Sequence, residues 1–558
     1  MSTNTSVSQN YKNKGGLVET QGVFNRYNNS SKDVESTEMI TYDNTFGDFT
    51  VNVMAGHNIV QNYWNSMEFE GTGLVVPGIY NSSNVSTYTA GSSYGMFRSW
   101  SLFGEARIGY KSLLYYTVTG RNDWASSINN DFFYPSHSLG FVFSELLQNA
   151  KFLDFGKVRV SYAKVGAPAS AYTTNVILSQ ASSSDWLGHS WPFNGQNSYL
   201  PSSTYPNPDL ANEFKSEIET GLEMRFFKNR LGLDLALYHN WSTNQILWQQ
   251  LLNSTGYEGG WINIGGITHK GIELGITSTP VQTKDFSWDM SLTWSKDNSM
   301  VDDLGENDEP IDLGSGGWAI VGQPYPVLYG DAFLRDDEGN LVLSDQGSTG
   351  TDRTTYGRPI IDPRSRKIFG KIAPDWVSSI RNSLRYKNIT FMAQLDIQKG
   401  GLIDNFDEHY LTYYGMSPLQ ENRPEDNRIV FDGVMGHYDY TSQQVVVTNP
   451  VNTEWTYYSS YYQTVCQSTE EDNIQPRDFI KLREVALTYR MPGKVADALH
   501  LKGLDVSFAG RNLWRKFKDG FSGSDVETNT NGISNGNAWF NYSFPSLRTY
   551  ALTLNITL

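Results

Sequence analysis

The chain is nearly without cysteine. Cys466 is the single one among 558 residues, so no disulfide can close within the chain. Histidine is also scarce, at eight, and none of the H-x-x-H, HExxH or C-x-x-C spacings of a zinc site occurs. Charged residues make up only 18%, no Lys/Arg-rich run is present, and the net charge is −16. Nucleic acid is therefore not an expected partner, because its binding needs a basic footprint. Runs of about 18 apolar residues are lacking too, which excludes a transmembrane helix. A membrane barrel is not excluded by a mean hydropathy of −0.44, since alternating strands score weakly on hydropathy.

What is abundant points to strands. Gly (50), Tyr (33), Phe (28) and Trp (15) give an aromatic content of 14%. That mix disfavours disorder and helical bundles. With Asn, Ser and Thr it suits strands joined by polar loops. Apolar residues alternate with polar ones at Tyr550, Leu552, Leu554, Ile556 and Leu558, at Leu231, Leu233, Leu235 and Leu237, at Ile218, Thr220, Leu222, Met224 and Phe226, and at Ile272, Leu274 and Ile276. The pattern predicts about sixteen strands: 18–29, 36–46, 48–66, 98–111, 113–124, 132–147, 155–166, 213–227, 230–247, 260–280, 286–302, 375–387, 389–400, 478–492, 501–516 and 546–558.

Connections alternate short and long. The long ones cover 67–97, 167–212, 303–374, 401–477 and 517–545. One end of an up-and-down meander would then carry tight turns and the other large loops, as in an outer-membrane barrel with short periplasmic turns and long extracellular loops. The expected fold class is all-β, an antiparallel up-and-down transmembrane barrel in outer-membrane lipid. In such a wall Glu219, Glu223, Arg225, Asp234 and Glu273 would face the lumen. Trp248, Phe286, Trp288, Trp376 and Tyr489, near strand ends, would suit interfacial girdles.

Particular segments carry a family resemblance. YKSLLYYTVTGRNDWASS (110–127), FYPSHSLGFVFSELL (133–147) and LDFGKVRVSYAKVG (153–166) come first in order. They are followed by the block at 207–247, STGYEGGWINIGGITHKGIELGI (254–276), the block at 369–391, RDFIKLREVALTYRMP (477–492), AGRNLWRK (509–516) and SFPSLRTYALTLNITL (543–558). Together they resemble the SusC/RagA family of TonB-dependent outer-membrane transporters. The resemblance implies import of an oligosaccharide or oligopeptide ligand and energy from the TonB–ExbB–ExbD complex acting through a plug. It also implies a SusD-like surface lipoprotein over the extracellular mouth. Plugged barrels of this kind have 22 strands. The expectation is therefore that residues 1–558 are the C-terminal part of a receptor barrel, a fragment without the plug or signal peptide. MSTNTSVSQNYKNKGG has no apolar h-region, and the chain closes on Leu558 where the family usually has an aromatic residue.

No enzymatic or cofactor site competes. Gly91-Ser-Ser-Tyr-Gly95 matches G-x-S-x-G, but no helical pattern follows it, as a nucleophile elbow requires; it reads as a loop. RDDEGN (335–340) lacks the full EF-hand ligand set and reads as a hairpin turn around Gly339. Catalytic, metal and cofactor residues are expected to be none. The long loops carry aromatic clusters instead: Trp186 and Trp191, Trp318, then His409, Tyr410, Tyr413 and Tyr414, then Trp455, Tyr457, Tyr458, Tyr461 and Tyr462. Their ring faces could stack on sugar rings or peptide side chains, or could simply form the cores of large loops. The competing expectation is a soluble all-β carbohydrate-binding or hydrolytic protein, which leaves the alternation of connections unexplained.

Overall fold

The computed structural model describes residues 1–558 apart from 14–20, 148–149, 181–195, 197, 306–307, 348, 350–354, 529–533, 535 and 542. Sixteen strands carry the fold. They are β1 (Ser2–Lys12), β2 (Val23–Phe46), β3 (Phe49–Leu74), β4 (Val85–Tyr110), β5 (Leu114–Ala125), β6 (Phe132–Phe141), β7 (Leu153–Ala167) and β8 (Glu213–Phe226). The series continues with β9 (Leu231–Thr243), β10 (Gly266–Gln282), β11 (Phe286–Asp303), β12 (Trp376–Tyr386), β13 (Ile389–Lys399), β14 (Phe479–Arg490), β15 (Gly503–Phe517) and β16 (Thr549–Thr557). They form one 16-stranded sheet whose spatial order is the chain order. Among the described residues no ladder joins β16 back to β1. The chain divides into two compact units, Met1–Glu145 with Val158–Glu219 and Asn240–Gly266, and Leu146–Lys157 with Thr220–His239 and Ile267–Leu558.

The tight turns follow from local chemistry. Gly47 (φ 60) turns β2 into β3, the glycine-first geometry whose twist matches the flanking strands. Phe227, Lys228 and Asn229 are all left-handed between β8 and β9. The Asn229 amide donates to Asp154 Oδ2 at 2.9 Å, which helps to offset that conformation.

Alternation gives each unit an apolar row. In the first, Val51, Ile108, Tyr116, Leu139 and Val160 stand opposite one another on successive strands. In the second the row is Trp288, Leu384, Phe391, Leu487, Phe508 and Leu552. Beside its turns Phe286, Tyr386, Ile389 and Tyr489 are in register, so Phe286 and Tyr489 do share an end of the wall. Most of these apolar side chains are exposed, Leu487 by 52% and Leu552 by 70%, and the others are half-buried, as a lipid-facing surface requires. The closely packed apolar clusters lie largely in the long connections. Examples are Val301, Leu304 and Ala319, Leu334, Val342 and Val434, and Phe333, Tyr461 and Cys466.

The structure corrects several boundaries. Segments 18–29 and 36–46 are not two strands: β2 runs unbroken through 30–35, with Ser30 opposite Asn65 and Lys32 opposite Tyr63. The polar segment Ser2–Lys12, which sequence reading passed over, is a strand. The expected 67–97 loop shrinks to 75–84 because β3 and β4 are each 26 residues long. Strand β6 stops at Phe141, before a 3-10 turn at Phe143–Leu146. The expected strands 230–247 and 260–280 are each broken, by Asn244 (φ 56) and Gly265 (φ 88). The common cause of the missed lengths is that a ladder projecting beyond lipid has water on both faces. It needs backbone pairing but no alternation. Gly91–Gly95 accordingly lies inside β4, where Ser93 Oγ meets Ser66 Oγ at 2.7 Å. Gly339 (φ 88) does make the turn expected of RDDEGN, with Asp336 Oδ1 accepting from the amides of Glu338 and Asn340.

One glycine is required by close approach. A Cβ on Gly271 would sit 2.1 Å from Tyr238 Cζ, and the Tyr238 hydroxyl donates to Asp297 Oδ1 at 2.9 Å. The ring is thus held at both ends. Gly271→Val should lower stability by about 1–3 kcal/mol, the usual cost of overpacking. Most of the loss should be recovered in Gly271→Val/Tyr238→Ala. Thermal loss of the heat-modifiable folded band on gels reads both, and equal loss in the two variants would refute the fit.

Candidate functional site: an aromatic cavity in the long loops

Two small sheets, both in the second unit, build the site. In one, Gly317–Ala319 pairs with Val327–Gly330, which pairs with Lys367–Lys371. Trp318 and Tyr329 therefore stand on adjacent strands, ring centroids 5.4 Å apart and edge to face. The Arg366 guanidinium lies 5.1 Å from the Trp318 centroid and 5.6 Å from that of Tyr329. Its Nε is 3.5 Å from Asp331 Oδ1. Cation–π contact and the carboxylate together fix this cation at the wall.

In the other sheet, Leu402–Asn405 is the central strand. It pairs antiparallel with Ile474–Pro476 and parallel with Trp539–Phe540. Helix α1 (Phe406–Tyr413) starts directly after it, and the Asn405 side chain caps it by accepting from the Glu408 amide at 3.2 Å. This start sets Phe406 between two partners. His409 stacks on it at 5.2 Å and 7°, and Trp539 stacks on it at 5.5 Å and 19°. The helix is anchored from below by buried Glu408, which accepts from the hydroxyls of Ser417 and Ser522.

Between the two sheets lies a cavity of about 600 Å³, lined by Trp318, Tyr329, Arg366, Asp404, Phe406, His409, Glu470 and Trp539 among others. Its acids are unusual. Burial pushes the Asp404 carboxyl up to about 7, Glu470 adds to the rise, and a hydrogen bond to Trp539 opposes it. Burial also raises Glu470, whose Oε2 accepts from the Asp331 amide at 2.6 Å. Burial lowers His409, so its neutral form is favoured. The arrangement offers flat ring faces, one fixed cation, an Asp404 carboxyl that takes or releases a proton near neutrality and a second raised carboxyl in Glu470. That suits recognition of a ligand carrying apolar faces and hydrogen-bonding edges.

The expected loop aromatics are divided among several places. Trp318 and His409 line the cavity. Tyr410 packs edge-on against Phe406 at 5.1 Å. Tyr413 and Tyr414 form a pair 4.9 Å apart, with Tyr414 exposed. Trp455 contacts Tyr457 and lies under the Arg428 guanidinium at 4.3 Å. Tyr458 is buried on Tyr462, which packs against the loop core containing Tyr461. Trp186 and Trp191 lie outside the described residues. In the wall, Glu219 pairs with Arg159 at 3.1 Å, and Glu223 with Arg225 at 2.9 Å. Asp234 and Glu273 are exposed on β9 and β10. Sequence reading missed Tyr329, Arg366, Asp404, Phe406, Glu470 and Trp539. Only Trp539-Phe540, an aromatic pair in a Gly/Asn-rich stretch, carried a signal that could have been used.

A continuous antiparallel sheet in chain order, apolar on one face, with tight turns at one end and folded loops at the other, is the wall of a transmembrane β-barrel of the outer membrane. Residues 2–341 match the family described as TonB dependent receptor-like, beta-barrel, and the chain belongs to that family. TonB-dependent receptor P26 of Formosa agariphila is 27% identical over 492 residues, 84% of this chain and 47% of that protein. TonB-dependent receptor P3 of the same organism is 24% identical over 552 residues, 93% of this chain and 52% of that protein. The chain thus spans about half the length of these two relatives. TonB-dependent receptor SusC of Bacteroides thetaiotaomicron is 24% identical over 331 residues, 53% of this chain and 30% of that protein. The solved structure of the RagAB peptide transporter has the same fold, with a TM-score of 0.73 at 16% identity over 99% of this chain and 59% of that one.

Proposed function

We propose that the chain supplies barrel wall and extracellular loops to a TonB-dependent importer of the SusC/RagA type, and that its loop cavity holds the imported oligomer. The observation that carries this is the cavity itself, in which Trp318, Phe406 and Trp539 present rings beside Arg366 and Asp404. Energy would come from TonB–ExbB–ExbD through a plug, and a SusD-like lipoprotein would cover the loops. The relatives named SusC and RagAB support that reading. On this reading the polar face bearing Glu219, Glu223, Arg225, Asp234 and Glu273 lines the lumen. The ligand is an oligopeptide or an oligosaccharide, and the charge on the lining favours the peptide, whose termini and side chains can answer Arg366 and the carboxyls.

The test is binding of peptide and glycan oligomer panels to the purified receptor by calorimetry. Trp318→Ala and Trp539→Ala should each weaken the bound oligomer about tenfold or more, since stacked aromatic anchors dominate such contacts. Tyr414→Ala, at an exposed position, should leave binding unchanged. Unchanged binding in both tryptophan variants would refute the cavity as the site.

A further inference from the structure

Three adjacent strands of the wall change character at one level. The apolar face of β9 reads Leu231, Leu233, Leu235, Leu237 and then His239. That of β10, read from its turn, passes Ile276, Leu274 and Ile272 and then reaches Lys270. That of β11 passes Phe286, Trp288, Met290, Leu292 and Trp294 and then reaches Lys296 and Asn298. Leu237 and Ile272 are exposed apolar residues just below the change. His239, Lys270, Ile272, Lys296 and Asn298 line one open depression of about 500 Å³.

The level is set by strand geometry. Ten residues separate Phe286 from Lys296. At about 3.3 Å per residue and a tilt of about 40°, Lys296 stands about 25 Å above the turn-side aromatic residue, the height of the apolar band of an outer-membrane barrel. Trp294, one step below, lies where an interfacial girdle belongs. Both lysines are exposed. Among the described residues neither has an ion-pair or hydrogen-bond partner. Two unneutralised ammonium groups, directed outward from a chain of net charge −16, therefore stand at the headgroup level of the outer leaflet.

We propose that this depression binds the phosphorylated headgroup of an outer-leaflet lipid. Lys270 and Lys296 would hold the phosphate, Asn298 would donate to it, and Leu237 and Ile272 would contact the start of the acyl chains. Basic pockets at the membrane boundary bind anionic headgroups in this manner.

Protein extracted from its outer membrane in mild detergent, titrated with diphosphoryl lipid A and read by native mass spectrometry, tests the proposal. Lipid adducts should fall at least tenfold in Lys270→Gln/Lys296→Gln. They should persist in Lys270→Arg/Lys296→Arg, and also in Lys228→Gln/Lys284→Gln at the turns. Heat-modifiable migration on gels checks that each variant is folded. Equal adducts in wild type and the first variant, or an equal loss in the turn variant, would overturn the proposal. Full competition by millimolar inorganic phosphate would also overturn it, showing a free-phosphate site in place of a lipid site.

Discussion

Lys481→Met is expected to release the segment around Asp525 from the wall at a cost of about 3–5 kcal/mol, the usual penalty for removing one partner of a buried ion pair. Lys481 is 3% exposed and Asp525 1%, with Nζ 2.5 Å from Asp525 Oδ1. A second contact joins Lys481 to Glu527. Around this pair, Arg483 reaches Asp396 and Glu527 at 2.6 Å each, and Arg515 reaches Asp525 at 3.4 Å. The β14 register shifts between Leu482 and Glu484. This leaves Arg483 out of the ladder and free to turn to the loop.

Burial alone would raise the Asp525 carboxyl, but the Lys481 ammonium and the Ser546 hydroxyl outweigh it and hold it below its ordinary value. Glu527 is likewise raised by burial and lowered further by Arg483 and Lys481. With depressed folded values, this stabilisation is present above the ordinary carboxylate range and is lost as the pH falls through the lowered values. Hydrogen exchange over 522–528 should therefore accelerate in Lys481→Met at pH 7, and in the wild type only in strong acid. Lys481→Met/Asp525→Asn/Glu527→Gln should recover part of the protection. Unchanged exchange in Lys481→Met would show that the network does not fasten the loop.

The second large effect is at Asp404. Its carboxyl, raised from 3.8 to about 7 by burial first and by Glu470 second, titrates near neutrality. A raised folded value means that the acid's contribution to stability is full below about pH 4. It is lost as the pH rises through about 7, because the folded site then holds a buried charge. Protection of Leu402–Asn405 and of its parallel partner Trp539–Phe540 should fall between pH 6 and pH 8. Asp404→Asn keeps an acceptor for Trp539 without the charge. It should flatten that dependence and protect the ladder better than wild type at pH 8. Residue-resolved hydrogen exchange distinguishes the outcomes, and a pH-independent wild type would remove the assignment. On the proposed reading of the cavity, oligomer affinity should follow the same profile, since Trp539 is hydrogen-bonded to Asp404.

The sequence alone determined the wall. Alternation at Leu231–Leu237 and Tyr550–Leu558, the spacing of tight turns, and the order of segments from 110 to 558 were enough for the antiparallel meander, its lipid face and its resemblance, because each depends on contacts between near neighbours in the chain. Strand ends were legible only while lipid enforced alternation, so β1 and the outer parts of β2, β3 and β4 were decided by pairing. The cavity was decided by tertiary structure alone. Trp318, Arg366, Asp404, Glu470 and Trp539 come from three separate long loops, and no local rule brings them together. What does so is the pairing of Val327–Gly330 with Lys367–Lys371 and of Leu402–Asn405 with Trp539–Phe540, short ladders between distant residues that leave no periodic trace in the sequence.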